Sequence, residues 1–305
     1  MTLKFNLMFP MRAVKHYPRW IGDGSLGEVA KHVEDAGFDA FAMSEHPYPD
    51  KDWLANGGHH AFDPFVALSM AAEATQRIRL ITYVMVAGYR SPYLAAKSVS
   101  SLDVLSGGRL TLGMAAGYLK SEFDALGADF ARRGKLLDEA IAAMRATWAG
   151  VDHVGPEFGV SNHISYPSPT QVGGPPIWIG GNSKAAQRRA VESAAGWMPM
   201  AQNAQTAEIT RTPALENIDA LRALIMTQNK RCADIGKPDL DVSFVPFEKD
   251  LLRTGGVAEF CAELAPRLDE YFDSGVTWIT IEPTSRSFGE FVHDIESMSD
   301  SLIRR

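Results

Sequence analysis

Apolar residues in this chain fall first at every second position and then at helical spacing, and that switch recurs eight times from one end to the other. Period-two stretches predict strands over 3–9, 38–43, 79–86, 109–114, 176–179, 197–200, 241–246 and 276–282. Between and after them, helical periodicity predicts helices over 25–36, 63–75, 92–105, 132–148, 183–194, 213–235, 257–272 and 288–303. The first helix carries Leu26, Val29, Ala30 and Val33 on one face and stops at Gly37, and Pro64 opens the second at its first turn. The fourth, with Leu136, Leu137, Ala140, Ile141 and Met144 in register, is the clearest. Strands that alternate with helices demand a parallel sheet, and eight such units in 305 residues favour a closed (β/α)8 barrel of the TIM type over an open doubly wound sheet. No Pro/Ser-rich linker or charge run interrupts the series, so residues 1–305 read as a single α/β domain.

Composition narrows the partners. A net charge of −7 and a pI near 5.6 argue against nucleic acid, whose binders concentrate basic charge. No stretch approaches the roughly 20 apolar residues of a bilayer helix, so no membrane partner is expected. Cys232 and Cys261 lie far apart without CxxC or CxxH spacing and suggest buried, reduced packing residues. The N-terminus runs directly into strand-like alternation, which points to a cytoplasmic protein.

The long connections 44–62, 117–131, 150–175 and 201–212 exceed ordinary βα loops and are expected at the carboxyl-terminal face of the barrel, where such folds assemble active sites. The second strand ends in Ser44-Glu45-His46, placing an imidazole at the barrel mouth to give or take a proton. Its neighbour Glu45 points to the opposite side of the strand, either orienting another group or forming an ion pair in the wall. Gly113, Ala115, Ala116 and Gly117 remove bulk where the fourth strand ends. Ile179-Gly180-Gly181-Asn182-Ser183 joins a strand to a helix start, an arrangement that suits an anion such as phosphate, although without further context a tight turn with Ser183 as a helix cap is the more common explanation. Neither cluster has GxGxxG spacing, and no P-loop, HExxH or GxSxG motif occurs. The adjacent pair His59-His60 has no third ligand in view, so no metal site is expected.

Taken together, Ser44-Glu45-His46, Tyr89-Arg90-Ser91-Pro92, Leu102-Asp103-Val104-Leu105-Ser106-Gly107-Gly108-Arg109-Leu110 and Pro175-Pro176-Ile177-Trp178-Ile179-Gly180-Gly181 resemble the bacterial luciferase-like superfamily of flavin- and coenzyme F420-dependent oxidoreductases. Arg133-Gly134-Lys135 and Gly196-Trp197 favour the F420-dependent branch. The resemblance implies a luciferase-like (β/α)8 barrel with inserted loops at its carboxyl-terminal face, a non-prolyl cis bond between Tyr83 and Val84 behind the cofactor ring, and cofactor contacts along Gly113, Ala115, Ala116, Gly117, Tyr118, Ile179, Gly180, Gly181, Asn182 and Ser183. It also implies that His46, with Glu45, forms the catalytic pair, and it brings with it the expectation of a homodimer, for which the face of Trp148, Met144 and Ile141 is one candidate. Phe9, Trp53, His59 and His60 are assigned to the substrate pocket.

The activity expected is hydride transfer between coenzyme F420 and a small, hydrophobic organic substrate. An FMN-dependent monooxygenase supplied by a separate flavin or F420 reductase is the alternative, and a non-catalytic flavin-binding protein a third. Light emission is not expected, because Pro47 and Ala116 stand where the bioluminescent enzymes carry a second histidine and a basic residue.

Overall fold

A computed structural model of the chain describes residues 3–304. Eight parallel strands close into a barrel: β1 (Lys4–Met8), β2 (Ala40–Met43), β3 (Arg79–Thr82, resuming as Met85–Val86), β4 (Leu110–Ala115), β5 (Ile177–Gly180), β6 (Gly196–Met198), β7 (Asp241–Phe244) and β8 (Trp278–Ile281). β8 returns to β1 in parallel register, with Lys4 opposite Trp278 and Leu7 opposite Ile281, which closes the ring. The first part of β3 pairs with β2 and β4, and the second part continues along β4 with Met85 opposite Met114.

Eight helices cover the barrel: α1 (Leu26–Asp35), α2 (Pro64–Ala74), α3 (Pro92–Leu105), α4 (Arg133–Ala149), α5 (Lys184–Ser193), α6 (Ile218–Asp234), α7 (Gly256–Leu264) and α8 (Phe288–Met298). Their starts are set by local chemistry. Ser25 Oγ accepts from the Glu28 N–H while the Glu28 carboxylate accepts from the Ser25 N–H, a reciprocal cap that fixes the start of α1. Asp63 Oδ1 accepts from the N–H groups of Phe65 and Val66 at the head of α2, where Pro64 needs no partner.

The structure departs from the sequence reading in a few elements. The helix expected over 257–272 is interrupted: α7 ends at Leu264, a 3-10 turn spans Ala265–Arg267, and a short helix resumes at Leu268–Asp273. Pro266 within that turn has no N–H to continue the ladder. Short helices at Met11–His16, Tyr17–Ile21, Lys51–Ala55, Lys120–Ala125 and Ala204–Thr210 were not expected. The connection 150–175 leads from α4 into β5. It lies over the outer face of α3 and α4, where Glu139 accepts from the N–H groups of Glu157 and Phe158, and Asp103 accepts from the Gln171 backbone and side-chain amides. Trp148, Met144 and Ile141 are buried there, with the Trp148 indole donating to the Ala96 carbonyl, so the face considered for a dimer is covered by the chain itself.

Alternation sorts the strand residues into two cores. Met8, Ala40, Ala42, Ile81, Trp178, Met198 and Trp278 fill the barrel interior, together with Asn6, whose amide donates to Thr280 Oγ1. The larger core lies between strands and helices. Phe9 belongs to this second core. It is fully buried among Tyr17, Trp20, Phe41 and Phe62, with ring centroids 5.7–6.5 Å away, and so packs the helical layer instead of lining a substrate pocket. Replacing Phe9 by Ala is expected to cost about 3–5 kcal/mol in urea unfolding while leaving the KM of the folded enzyme unchanged. A raised KM without loss of stability would restore Phe9 to the pocket.

Candidate active site

His46 follows β2 at the carboxyl-terminal face, and its partner comes from a segment that sequence reasoning passed over. The short helix Lys120–Ala125, which follows β4, carries Glu122, whose carboxylate is wholly removed from solvent. Three donors converge on it: His46 Nδ1 at 3.0 Å, the Tyr89 hydroxyl at 2.9 Å and the Tyr48 N–H at 3.1 Å. A carboxylate so surrounded is an acceptor at every contact, so Nδ1 of His46 bears hydrogen and Nε2 is the nitrogen left for chemistry. Burial, and the charge of Glu122 beside it, hold the Tyr89 phenol well above its ordinary range, which keeps its hydroxyl a donor.

Loop residues close around the same imidazole. Trp53 and His59 lie with ring centroids 4.5 Å and 4.7 Å from His46, and Tyr118 lies at 6.2 Å. Trp53 is brought there by the helix Lys51–Ala55, which Asp50 caps through the Trp53 N–H at 2.7 Å, and Ser121 also donates to Asp50, tying this loop to the one after β4. Burial pushes His59 down to about 4, reinforced by the charge of His46, so it sits as a neutral ring. Burial and Glu122 push Tyr118 up to about 12. His60 offers its carbonyl to His59 Nδ1 and lines an adjoining groove, outside the ring cluster around His46.

Glu45 faces the other way. Its carboxylate accepts from the Val86 N–H at 2.6 Å and forms an ion pair with Arg90, so it fastens the end of β2 to the resumed half of β3. Burial pushes this carboxyl up to about 7, against the opposing pull of Arg90 and the Val86 N–H. Of the two readings the sequence left open, the wall ion pair is the one observed, and Glu45 does not touch His46.

At the break in β3 the Tyr83–Val84 peptide bond is cis. The Tyr83 phenol is bonded with Thr280 and Ser243, and burial holds it above its usual range. Val84, Ala115 and Gly180 form a floor without bulky side chains: a Cβ placed on Gly180 would stand 3.4 Å from Val84 Cγ1 and 3.6 Å from Ala115 Cβ. Gly113 admits no side chain at all, since a Cβ there would fall 2.1 Å from the Thr82 carbonyl. Ala116 packs against the outer core, and Gly117 offers its carbonyl to Arg133 Nε at 3.1 Å. Beyond β5, Ser183 caps α5 by accepting from the Ala186 N–H, while Gly181 uses its own N–H on the Met198 carbonyl. Two residues expected at the cofactor are otherwise engaged. Ile179 is buried in the outer core, and the Asn182 carboxamide is committed to Met200 and Pro213.

The strands form a closed parallel (β/α)8 barrel with this imidazole at its mouth, and no helix among the described residues is long and apolar enough to cross a membrane. Residues 14–223 match the luciferase-like monooxygenase family, and the chain belongs to it. It is 30% identical over 184 residues to the F420-dependent glucose-6-phosphate dehydrogenase of Rhodococcus erythropolis, a stretch covering 58% of this chain and 53% of that enzyme. The oxygenase component of the flavin-dependent trigonelline monooxygenase of Acinetobacter baylyi is 31% identical over 146 residues, 45% of this chain and 41% of that protein. The chain thus spans about half the length of these curated relatives. In fold it is similar to monooxygenase RslO1 from Streptomyces bottropensis, with a TM-score of 0.76 at 17% identity over 99% of both chains. The family contains both F420-dependent and flavin-dependent oxidoreductases.

Two outcomes are expected from this geometry. Glu122→Gln removes the negative charge and turns one of the two accepting oxygens that hold His46, Tyr89 and Tyr48 into a donor, and should lower kcat by at least about tenfold with little change in KM. An unaltered kcat would show that His46 does not need its anchor. His59, buried and neutral, should make the fold acid-sensitive: the unfolded chain takes up a proton near 6.5, the folded one only near 4, so stability is lost as pH falls through this window. The loss should total about 3 kcal/mol in urea unfolding once the pH is below 4, and His59→Phe should abolish that share.

Proposed function

We propose that this protein is an oxidoreductase that transfers hydride between coenzyme F420 and a small organic substrate, with His46 giving or taking the proton that accompanies the hydride. The observation that carries this reading is the contact of His46 Nδ1 with the buried carboxylate of Glu122, which fixes ring orientation and tautomer and reserves Nε2 for the substrate. Neutral His59, Trp53 and Tyr118 pack around the imidazole and limit its access to water.

The residues present suit a flat ring with an anionic tail. Val84, Ala115 and Gly180 would bear the ring, because their combined lack of bulk leaves the space that a Cβ on Gly180 would fill. Gly117 and the start of α5 at Ser183 would receive the tail. Positive charge lies at that end, where the guanidinium of Arg133 sits 3.9 Å and that of Arg211 5.6 Å from the Phe130 ring centroid. When bound, the deazaflavin supplies the hydride-carrying carbon, and the chain supplies orientation, exclusion of water and the proton.

The F420-dependent relative supports this choice of cofactor. The flavin-dependent relative supports the second reading, an FMN-dependent monooxygenase receiving reduced flavin from a separate reductase. A protein that only stored flavin would leave the His46–Glu122 contact without a task.

Titrating purified protein with each cofactor distinguishes the two: submicromolar affinity for F420 with millimolar affinity for FMN is expected, and the reverse order would establish the second reading. His46→Ala should lower kcat by roughly 100-fold or more while cofactor affinity stays the same. An unchanged rate would remove His46 from the mechanism.

A further inference from the structure

We infer that the side of the barrel mouth between β1, β7 and β8 is a subsite for an anionic group of the substrate, a phosphate or a carboxylate, held by Arg12, Lys249 and Arg253. This rests on the reading of His46 as the group at the reaction centre and extends it to the class of molecule that reaches it.

The three cations arrive from three short elements. Arg12 lies on the turn Met11–His16 after β1, Lys249 on the turn Phe247–Asp250 after β7, and Arg253 on the helix Leu251–Thr254 that follows. With Met11, Val245, Thr280 and Glu282 they line a cavity of about 240 Å³. His59 lines the same cavity and is in ring contact with His46, so a single side chain separates the cationic end from the imidazole. A molecule seated in the cavity therefore lies one side chain away from the imidazole.

Charge in the cavity is unbalanced. Lys249 Nζ donates to the Ala201 carbonyl at 2.6 Å, and neither Lys249 nor Arg12 forms an ion pair among the described residues. Arg253 pairs with Asp250 at 2.8 Å on the exposed rim. The remaining carboxyl is Glu282, just beyond the end of β8, which feels the charges of Arg12, Arg253 and Lys249 and accepts from the Met11 N–H. Burial nevertheless pushes Glu282 up to about 7. Near neutrality it is partly protonated, and an incoming anion would shift it further toward the neutral acid, which donates an O–H instead of repelling. His59 adds no charge, since burial keeps it neutral. Three cations facing one carboxyl that can neutralise, with Asp250 only at the rim, attract an anion. The Lys249 ammonium, desolvated by burial and hydrogen-bonded to the Ala201 carbonyl, gains most from one.

The test is calorimetric titration of cofactor-saturated protein with inorganic phosphate and, separately, with malonate, at constant ionic strength and pH 7. Saturating the cofactor first fills the tail site, so the anion reports on this cavity. Saturable binding of either anion is expected; phosphate alone would indicate a phosphate ester as substrate, malonate alone a carboxylate. Lys249→Ala and Arg12→Ala should each weaken it by about tenfold. Glu282→Gln should tighten it several-fold, a change of opposite sign that damage to the fold would not produce. No saturable binding of either anion, or the same affinity in Lys249→Ala and Glu282→Gln as in the parent, would overturn the inference. Cofactor affinity, followed through the cofactor's own fluorescence, is expected to stay constant in these variants. A failure to bind any cofactor would refute the hydride-transfer reading alone, and phosphate titration of the cofactor-free protein would still decide the subsite.

Discussion

Two carboxylates withdrawn from water, Glu45 and Glu122, hold the exits of β2, β3 and β4 in one arrangement. A buried carboxylate is costly unless donors surround it, so each of them dictates where its neighbours must be. Glu45 draws the Val86 N–H and Arg90 onto the end of β2. Glu122 gathers His46 and Tyr48 from beyond β2 and Tyr89 from beyond β3 onto a helix that follows β4. The imidazole is thus positioned by three successive loops at once.

The opposite fates of Glu45 and His46 follow from one geometrical fact, that adjacent residues leaving a strand project to opposite sides. One side at this point is the wall shared with β3, where an ion pair can be enclosed. The other opens on the mouth, where an imidazole meets aromatic loops. A shift of one residue in this register would place the carboxylate among Trp53 and His59 and bury the imidazole beside Arg90. Pairing of Met43 with Thr82 along the β2 and β3 ladder sets the register immediately before the divergence.

Much of the barrel was legible because its signals are local. Helix α3 occupies the residues that periodicity and Pro92 indicate, and α1 begins where Ser25 and Glu28 cap it. What escaped were segments too short for a period to develop, such as Lys51–Ala55 and Lys120–Ala125, and the direction taken by 150–175, which depends on distant partners such as Asp103 and Glu139. At the site, His46 could be found from its place at a strand end, and Trp53 and His59 from the length of their loop. Glu122 could not. In sequence it is one acidic residue near Lys120 and Asp124, whose side chains form an ordinary surface ion pair, and only folding separates the buried acid from the exposed one. Phe9 shows the reverse: an aromatic residue just past a strand end looked available, but four further rings, Tyr17 and Trp20 from the short helix that follows, Phe41 from β2 and Phe62 from a loop, enclose it.

The environment of Glu122 also selects which group can exchange protons. Tyr89 and Tyr118 are held as neutral phenols by burial and by the charge of the same carboxylate. His59 is held as a neutral imidazole by burial and by His46. Those three neighbours are thereby withdrawn from proton exchange near neutrality, each for the reason that its charged form would be desolvated beside an existing charge. His46 differs from them in having its own charge partner, Glu122 at 3.0 Å, so that a proton gained at Nε2 leaves an imidazolium already paired. In the reaction proposed above, one geometry would serve both forms of this ring, as a group that gives a proton in one half of a reversible transfer and takes it in the other requires.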